Sequence, residues 1–444
     1  MSRLIYLGLR LFSSVHHFLH ERLTKAGWLV LGAAAAAAAL GIDTDRTMSF
    51  QAFTFLAALI AVGCLAAPSF RARVSVGRDL PRYATAGEPL EYRVSVENHG
   101  TRPLRGVTVT EGFQDPRPEY AEWRRAREPG EDRRNRFDRY LGYFRWRWLI
   151  DRRTPRPPGD TALPTLAPGA CDAVKLTLVP RGRGRLELEG LVLARCDPLG
   201  LFKGLVRAEA KARLTVLPRR YRLPKLALPG ARRFQQGGVA LATSVGDSEE
   251  FVSLRDYRPG DPLQKVHWKS FARTATPIVK EYQDEFFERH ALVLDTASIR
   301  GEDAAFEEAV ALAASFVYAI DTQECLLDLL FVGHEVHSYT AGRGQMRTEY
   351  LLEVLAGLAP GAPGGFDALA NAVRSHRHRL TSCIVVLLAW DEPRRAFIDG
   401  LRRSGLEVRV FLVCARDSVP PDQPPAGLVV LHPGEIEPGL QRLR

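Results

Sequence analysis

No two of the six cysteines in this chain form a Cys-x-x-Cys pair; they stand apart at positions 64, 171, 196, 325, 383 and 414. That spacing offers neither a zinc site nor a disulfide frame, and it fits a reducing compartment. Lysine is scarce and arginine abundant. The net charge of +10 therefore reflects an arginine- and alanine-rich composition as much as a surface selected for nucleic acid, and an anionic inner leaflet would favour the same sign. Charge is missing altogether from two early stretches, residues 26–42 and 50–67.

Each uncharged stretch is just long enough, at about 1.5 Å per helical residue, to cross a thin hydrocarbon core. A polar loop, residues 43–49, separates them, and Pro68 follows the second. We expect an N-terminal segment with a two-helix membrane anchor, residues 1–70, because a helical hairpin satisfies its own backbone groups in lipid. A cleaved signal peptide would have a shorter leader and no second span. A buried soluble hairpin is the other reading, since the first stretch is mostly alanine. Arg22 and Lys25 precede the first span and Arg71, Arg73 and Arg78 follow the second, whereas the loop carries Asp43, Asp45 and only Arg46. Positive-inside logic then puts both termini and the soluble domains in the cytoplasm.

Residues 71–218 have period two. Leu90, Tyr92, Val94 and Val96 alternate with Glu91, Arg93, Ser95 and Glu97, and Val107/Val109, Val174/Leu176/Leu178 and Leu186/Leu188 repeat the pattern. Short alternating strands between Gly and Pro turns predict an antiparallel β-sandwich. An insertion at 114–160 interrupts it, crowded with arginines, acids and aromatics including Trp123, Tyr140, Tyr143, Phe144, Trp146 and Trp148. It has no sustained helical period, and we expect its aromatics to pack on the sandwich; an element lying in the headgroup layer is the alternative.

Residues 289–444 change class. Apolar strands at 290–295, 326–332, 335–339, 384–389, 408–414 and 428–431 alternate with helices at 306–320, 346–358, 366–379 and 393–404. Such alternation predicts a doubly wound α/β sheet, with Asp295 and Asp391 at the carboxyl edge where ligands of these sheets bind.

Between the two lies a signature and linker segment, residues 219–288. Its centre holds Arg255, Tyr257, Pro259-Gly260, Asp261, His267, Trp268, Lys269 and Arg273. Pro-Gly is a turn dipeptide, Asp261 is placed to cap a following helix, and we expect the segment to fold back on the α/β domain with Trp268 buried. Arg255, Tyr257, Gly260, Asp261, His267, Trp268, Ala272, Arg273 and the later Lys280 resemble the signature of the bacterial family designated domain of unknown function 58. Asp197-Pro198-Leu199-Gly200-Leu201-Phe202 is similar to a second motif that closes the sandwich region in that family. The resemblance implies two membrane spans, a sandwich, the signature and a von Willebrand A-like domain. It further implies a bacterial inner-membrane adaptor or scaffold working with a MoxR-type AAA+ ATPase in protein assembly or envelope maintenance, in a family for which no enzymatic activity is established. The charge and aromatic area of the residues at 255, 257, 260, 261, 267, 268, 269 and 273 make them the expected docking face, and we expect no enzymatic activity.

Two other functions compete. An envelope hydrolase would use Asp261, His267 and Ser270, but no nucleophile elbow or glycine-rich oxyanion loop accompanies them. A membrane-tethered nucleic-acid binder would suit the charge, yet no nucleic-acid motif is present. We expect neither nucleic acid nor a small-molecule substrate, and no cofactor. Metal-binding von Willebrand A domains use an Asp-x-Ser-x-Ser turn after the first strand, with two hydroxyls sharing a hard ion with the aspartate. Here Ala297 and Ile299 replace both hydroxyls, so we expect Asp295 to hold no metal and Asp391 to cap the next helix.

Overall fold

A computed structural model describes residues 2–40, 47–128, 130–131, 134–155, 159–223, 250–261, 263–283, 288–297, 303–320, 325–333, 335–341, 348–361, 365–415 and 427–442. The chain divides into two compact units. The first takes in Met1–Arg222, Ser298–Ser315 and Leu352–Pro360; the second takes in Leu223–Ala297, Phe316–Leu351 and Gly361–Arg444.

Three helices open the first unit: α1 (Ser2–Arg22), α2 (Lys25–Leu40) and α3 (Thr47–Ala66). Of the two expected spans, one is long and apolar enough to cross a membrane among the described residues, the helical stretch Met48–Ser69. α2 has 16 residues, about 24 Å of helix against a hydrocarbon core of about 30 Å. Its start is set by Thr24, whose hydroxyl accepts the Gly27 N–H at 3.0 Å, so the helix cannot recruit Leu23. An apolar groove lined by Leu31, Ala34, Phe53, Ala57 and Ile60 runs between α2 and α3.

Two sheets follow. β1 (Val74–Asp79), β3 (Leu90–Asn98) and β6 (Cys171–Leu178) pair in the order β1-β3-β6. β2 (Tyr83–Thr85), β8 (Lys203–Leu217), β7 (Gly184–Cys196), β4 (Val107–Phe113) and β5 (Thr161–Ala162) form the other, in the order β2-β8-β7-β4-β5. The expected all-antiparallel pairing is corrected at one edge, where the short β2 runs parallel to β8 and the Ala86 N–H continues the ladder to the Leu217 carbonyl at 3.0 Å. Val94 and Val96, Val107 and Val109, Leu176 and Leu178, and Leu191 and Leu193 bury in one core drawn from both sheets, as period-two strands with one wet face require. An ion pair is sealed into this unit: Arg78 pairs with Glu111, their side chains 3% and 0% exposed, and the Tyr92 hydroxyl donates to Glu111 at 2.5 Å. Burial pushes the Glu111 carboxyl and the Tyr92 phenol above their ordinary values.

The insertion forms α4 (Tyr120–Arg125), α5 (Arg136–Leu141) and α6 (Tyr143–Arg153). Its aromatics do not pack on the sheets as expected. Trp123, Trp146 and Leu149 bury with Tyr6 of α1, whose ring lies 5.9 Å and 5.5 Å from the two indoles. Helix α1, which no sequence pattern had suggested, supplies the apolar partner.

The turn between β7 and β8 meets the helices. Asp197 Oδ1 accepts the Leu201 N–H at 2.7 Å and the Phe202 N–H at 3.1 Å, bending the turn so that its carbonyls face outward. The Leu201 carbonyl takes the Thr24 N–H at 3.0 Å, and the Gly200 carbonyl takes the Thr24 hydroxyl at 2.5 Å. The approach is so close that a Cβ on Gly27 would lie 2.3 Å from the Leu201 oxygen, and one on Gly204 2.4 Å from the Ala67 oxygen.

The second unit begins with β9 (Glu250–Asp256), α7 (Trp268–Thr274) and β10 (Ile278–Gln283). Along the chain then come β11 (Glu288–Leu294), α8 (Asp303–Ala319), β12 (Cys325–Val332), β13 (Val336–Ala341), α9 (Thr348–Gly357), α10 (Phe366–His376), β14 (Ser382–Leu387), α11 (Glu392–Arg403), β15 (Glu407–Val413), β16 (Leu428–Leu431) and α12 (Ile436–Gln441), of which α8 up to Ser315 and α9 from Leu352 belong to the first unit. Six strands make one sheet, β13-β12-β11-β14-β15-β16, parallel except for β13, which returns from β12 as a hairpin. Val293, Val385 and Leu387 pack on Phe366, Phe397 and Leu401 of α10 and α11, while Phe411 meets Phe316 of α8 at 5.1 Å. With both faces covered, the strands read as continuous apolar runs.

Gly204→Val should destabilise the protein by about 1–3 kcal/mol, because backbone atoms of a neighbouring element cannot yield to a new side chain. Gly32→Ala, with nothing within 4 Å of the new Cβ, should leave stability unchanged. Thermal unfolding of the full chain in detergent, followed by circular dichroism, checks both.

Candidate functional site

The signature residues lie on a two-stranded antiparallel sheet of β9 and β10, separate in its pairing from the six-stranded sheet. Pro259 and Gly260 make the turn, Gly260 at φ 108°, a conformation that needs no Cβ. Arg255 holds Asp261 with two parallel bonds of 2.7 and 2.8 Å, the fork geometry that makes such pairs strong. The Arg258 N–H adds a third bond to Asp261 at 2.8 Å. The hydrogen bond from Arg255, then that from Arg258, hold the Asp261 carboxyl down at about 2. Asp261 thus braces its own turn. It does not cap α7 as expected, because that helix starts six residues further on, at His267, with no side-chain cap.

His267 N–H bonds to the Ile278 carbonyl at 2.8 Å, which ties the helix start to β10. Its Nδ1 lies 2.6 Å from the Ser270 hydroxyl. A serine hydrolase needs the imidazole set between the nucleophile and an orienting acid. Here Asp261 is engaged by Arg255 and Arg258, so the sequence-suggested set of three is not assembled.

Trp268 is exposed, at 61%, and this overturns the expectation that it is buried. It stacks edge-to-face on Phe271 at 6.0 Å, also exposed, and Leu254 and Leu263 on the same small sheet and its loop are exposed too. The reason lies in size: two strands and a seven-residue helix bury Val266 and Val279 and, among the described residues, leave the indole uncovered. Lys269 and Arg273 are exposed on the same helix, while Tyr257 and Lys280 are half-buried. Leu254, Leu263 and Phe271 had not been singled out in the sequence; only their exposure marks them.

The carboxyl edge of the large sheet is a separate cluster. Asp295 is buried, accepts the Ala297 N–H at 3.0 Å and the Leu388 N–H at 3.3 Å, and takes Arg394 Nε at 2.8 Å. The same guanidinium reaches Asp391 and lies 4.6 Å from the Phe366 ring centre. Burial works against the Arg394 charge, but the hydrogen bond and charge of Asp295, then Asp391, outweigh it and hold its pKa above the ordinary value. Asp391 also caps α11 through the Arg394 N–H at 3.2 Å. A built-in cation therefore sits between the two aspartates, where a metal would have to displace it. Arg394 was not foreseen, although its place three residues after Asp391 on a helix was a readable signal. Ser298 and Ile299 lie outside the described residues.

The region that holds both clusters has known relatives. Residues 253–440 match the model of the family described as Protein of unknown function DUF58. A stretch of 184 residues is 26% identical to the uncharacterized protein YeaD of Bacillus subtilis (strain 168), covering 41% of this chain and 44% of that protein. The chain thus spans less than half the length of that curated relative. Two structures of the CARDB domain of PF1109 from Pyrococcus furiosus, one from solution NMR and one a crystal structure in complex with di-metal ions, align with 32% and 33% of this chain and 93% and 89% of theirs. Their identities are 10% and 12% and their TM-scores 0.15 and 0.16.

Lowered by its partners, Asp261 binds the turn only while ionised. Its contribution is full above the ordinary carboxylate value of 3.8 and is lost as pH falls toward about 2,. A carboxyl-carbon NMR titration should find a midpoint near 2 in the native protein, and Arg255→Gln should move it up.

Removing the internal cation should be costly. Arg394→Met leaves Asp295 buried and unpaired, at about 3–5 kcal/mol, whereas Asp391→Asn, with a half-exposed carboxylate, should cost less than about 1 kcal/mol. Magnesium or manganese should leave the native melting temperature unmoved. A saturable rise that Asp295→Ala abolishes would show that a cation displaces Arg394.

Proposed function

We propose that this protein is a non-enzymatic, membrane-anchored adaptor that presents the Arg255–Arg273 segment to a MoxR-type AAA+ ATPase. In this reading α2 and α3 form the membrane hairpin, the two sheets of the first unit form a sandwich that spaces the soluble part from the bilayer, and the six-stranded sheet is von Willebrand A-like. The soluble domains then lie on the cytoplasmic side of a bacterial inner membrane, where such an ATPase has its nucleotide.

One observation carries the docking role: Trp268 and Phe271 stand exposed on a short helix that also exposes Lys269 and Arg273. Folding alone does not leave an indole in water beside a second ring without cost, and exposed apolar groups rimmed by charge mark interaction sites. Tryptophan and arginine are also the residues that most often dominate interface energies. The bracing of the turn by Arg255 and Asp261 supports the same reading, since a preorganised surface loses less entropy on binding. For hydrolysis the assembled acid is lacking.

Trp268→Ala should leave the fold intact and weaken ATPase capture by about 2 kcal/mol or more. Lys269→Ala and Arg273→Ala should weaken it less. Pull-down by the full chain in detergent, with circular dichroism as the folding control, measures this. Normal capture by all three variants would move the docking face elsewhere. Turnover of a generic ester or peptide that His267→Ala abolishes would establish the enzyme instead.

A further inference from the structure

Helix α1 carries two apolar faces, and only one is accounted for. Tyr6 is buried and Ile5 and Leu9 are half-buried against the insertion, with the Tyr6 hydroxyl donating to the Pro118 carbonyl at 3.1 Å. Leu4, Leu7, Leu11, Val15 and Phe18 face away and are 50% to 72% exposed. At 3.6 residues per turn these five fall within an arc of about 80°, the stripe of an amphipathic helix that no described residue covers.

We propose that α1 is an interfacial helix, and that the Leu4–Leu7–Leu11–Val15–Phe18 stripe is covered by the acyl-chain boundary of an anionic lipid surface.

Two features choose lipid over other occupants. The first is continuity. Only Leu23 and Thr24 separate α1 from α2, where Leu29 is 75% exposed. Beyond it the membrane-length helix has 11% of its most apolar window buried. All three helices expose large apolar side chains, so one medium that covers α3 also covers the stripe. The second is charge. Arg3, Arg10, Arg22 and Lys25 face a single acid between residues 2 and 25, Glu21, and that acid is already engaged by His17 at 3.2 Å and Arg207 at 3.1 Å. A basic helix with an apolar face lies in an anionic headgroup layer. Arg22 extends over the Phe18 ring at 4.8 Å, which lets its charged end stay with headgroups while its stem lies on apolar surface. Held by Tyr6 on its other side, α1 would fix the depth and tilt of the first unit against the bilayer, a role a hairpin alone does not fill.

The inference rests on the membrane anchoring proposed above, and the test separates the two. Single cysteines are placed at Leu11, at His17 and at Val62 in full-length chains whose six native cysteines are replaced. Each is labelled with an environment-sensitive fluorophore and reconstituted into vesicles of equal parts phosphatidylcholine and phosphatidylglycerol. The expected result is blue-shifted emission, quenched by brominated lipid, at Leu11→Cys and Val62→Cys, and water-like emission at His17→Cys on the far side of α1. Water-like emission at Leu11→Cys with quenched Val62→Cys overturns the inference and leaves the anchor standing. Blue-shifted emission at Leu11→Cys without lipid quenching also overturns it, because a second copy of the chain then covers the stripe. Water-like emission at both positions overturns the anchor, and the inference with it.

Discussion

Contact between backbones at the Asp197–Phe202 turn sets the layout of the first unit. Asp197 folds the turn by accepting two of its N–H groups, and the turn then offers carbonyls to the start of α2. Thr24 makes both of these bonds, one through its N–H and one through its hydroxyl, and there is no space for a side chain at Gly27 or Gly204. The two apolar helices are therefore joined to the sheets by geometry that hydrophobicity could not specify, since an apolar helix surface has no preferred partner in lipid. Thr24 at this junction ends one helix and starts the next, and Glu21, paired with Arg207, ties α1 to β8. Asp197 Oδ2 is buried here without a hydrogen-bond partner, a desolvation cost located at the tightest contact of the unit.

Arginine has a second role inside the protein. Arg78 neutralises Glu111 within the paired sheets, and Arg394 neutralises Asp295 at the edge of the six-stranded sheet. Guanidinium groups suit such positions because they remain charged and satisfy a carboxylate through several donors at once. Part of the basic composition is thus internal pairing and says nothing about polyanions. At the sheet edge the consequence is chemical: two aspartates that could share a hard ion instead share a side chain. The edge is filled from within, whereas the small β9–β10 sheet and its helix leave Leu254, Trp268 and Phe271 exposed.

Much of the fold was legible in the sequence. Strands β3, β4 and β6 follow the alternation of Tyr92, Val94, Val96 and their counterparts, and the expected helices and strands of the α/β region lie within a few residues of their places, because period and apolar run length are local properties; only the short α12 (Ile436–Gln441) was not foreseen among the described helices there. The tight turn at Gly260 was legible for the same reason, and the His267–Ser270 contact follows from three-residue spacing. Helix α1 was missed because its apolar residues serve two faces, which blurs a single stripe. Trp268 was misjudged because its burial depends on whether another layer lies above a seven-residue helix, and no local pattern encodes that.

Sequence alone determined that the chain carries uncharged helix-length segments near its start, then alternating strands, then a strand–helix series, and that its signature joins charge to aromatic area. Each of these is a statement about neighbours along the chain, where side-chain period and charge act directly. Tertiary structure decided which carboxylates are free, which rings are wet and where the Asp197 turn docks. Those outcomes depend on partners far apart in sequence, such as Asp295 with Arg394, Tyr6 with Trp146 and Thr24 with Leu201. An ion pair or a close backbone approach exists only once folding has brought both sides to the same place.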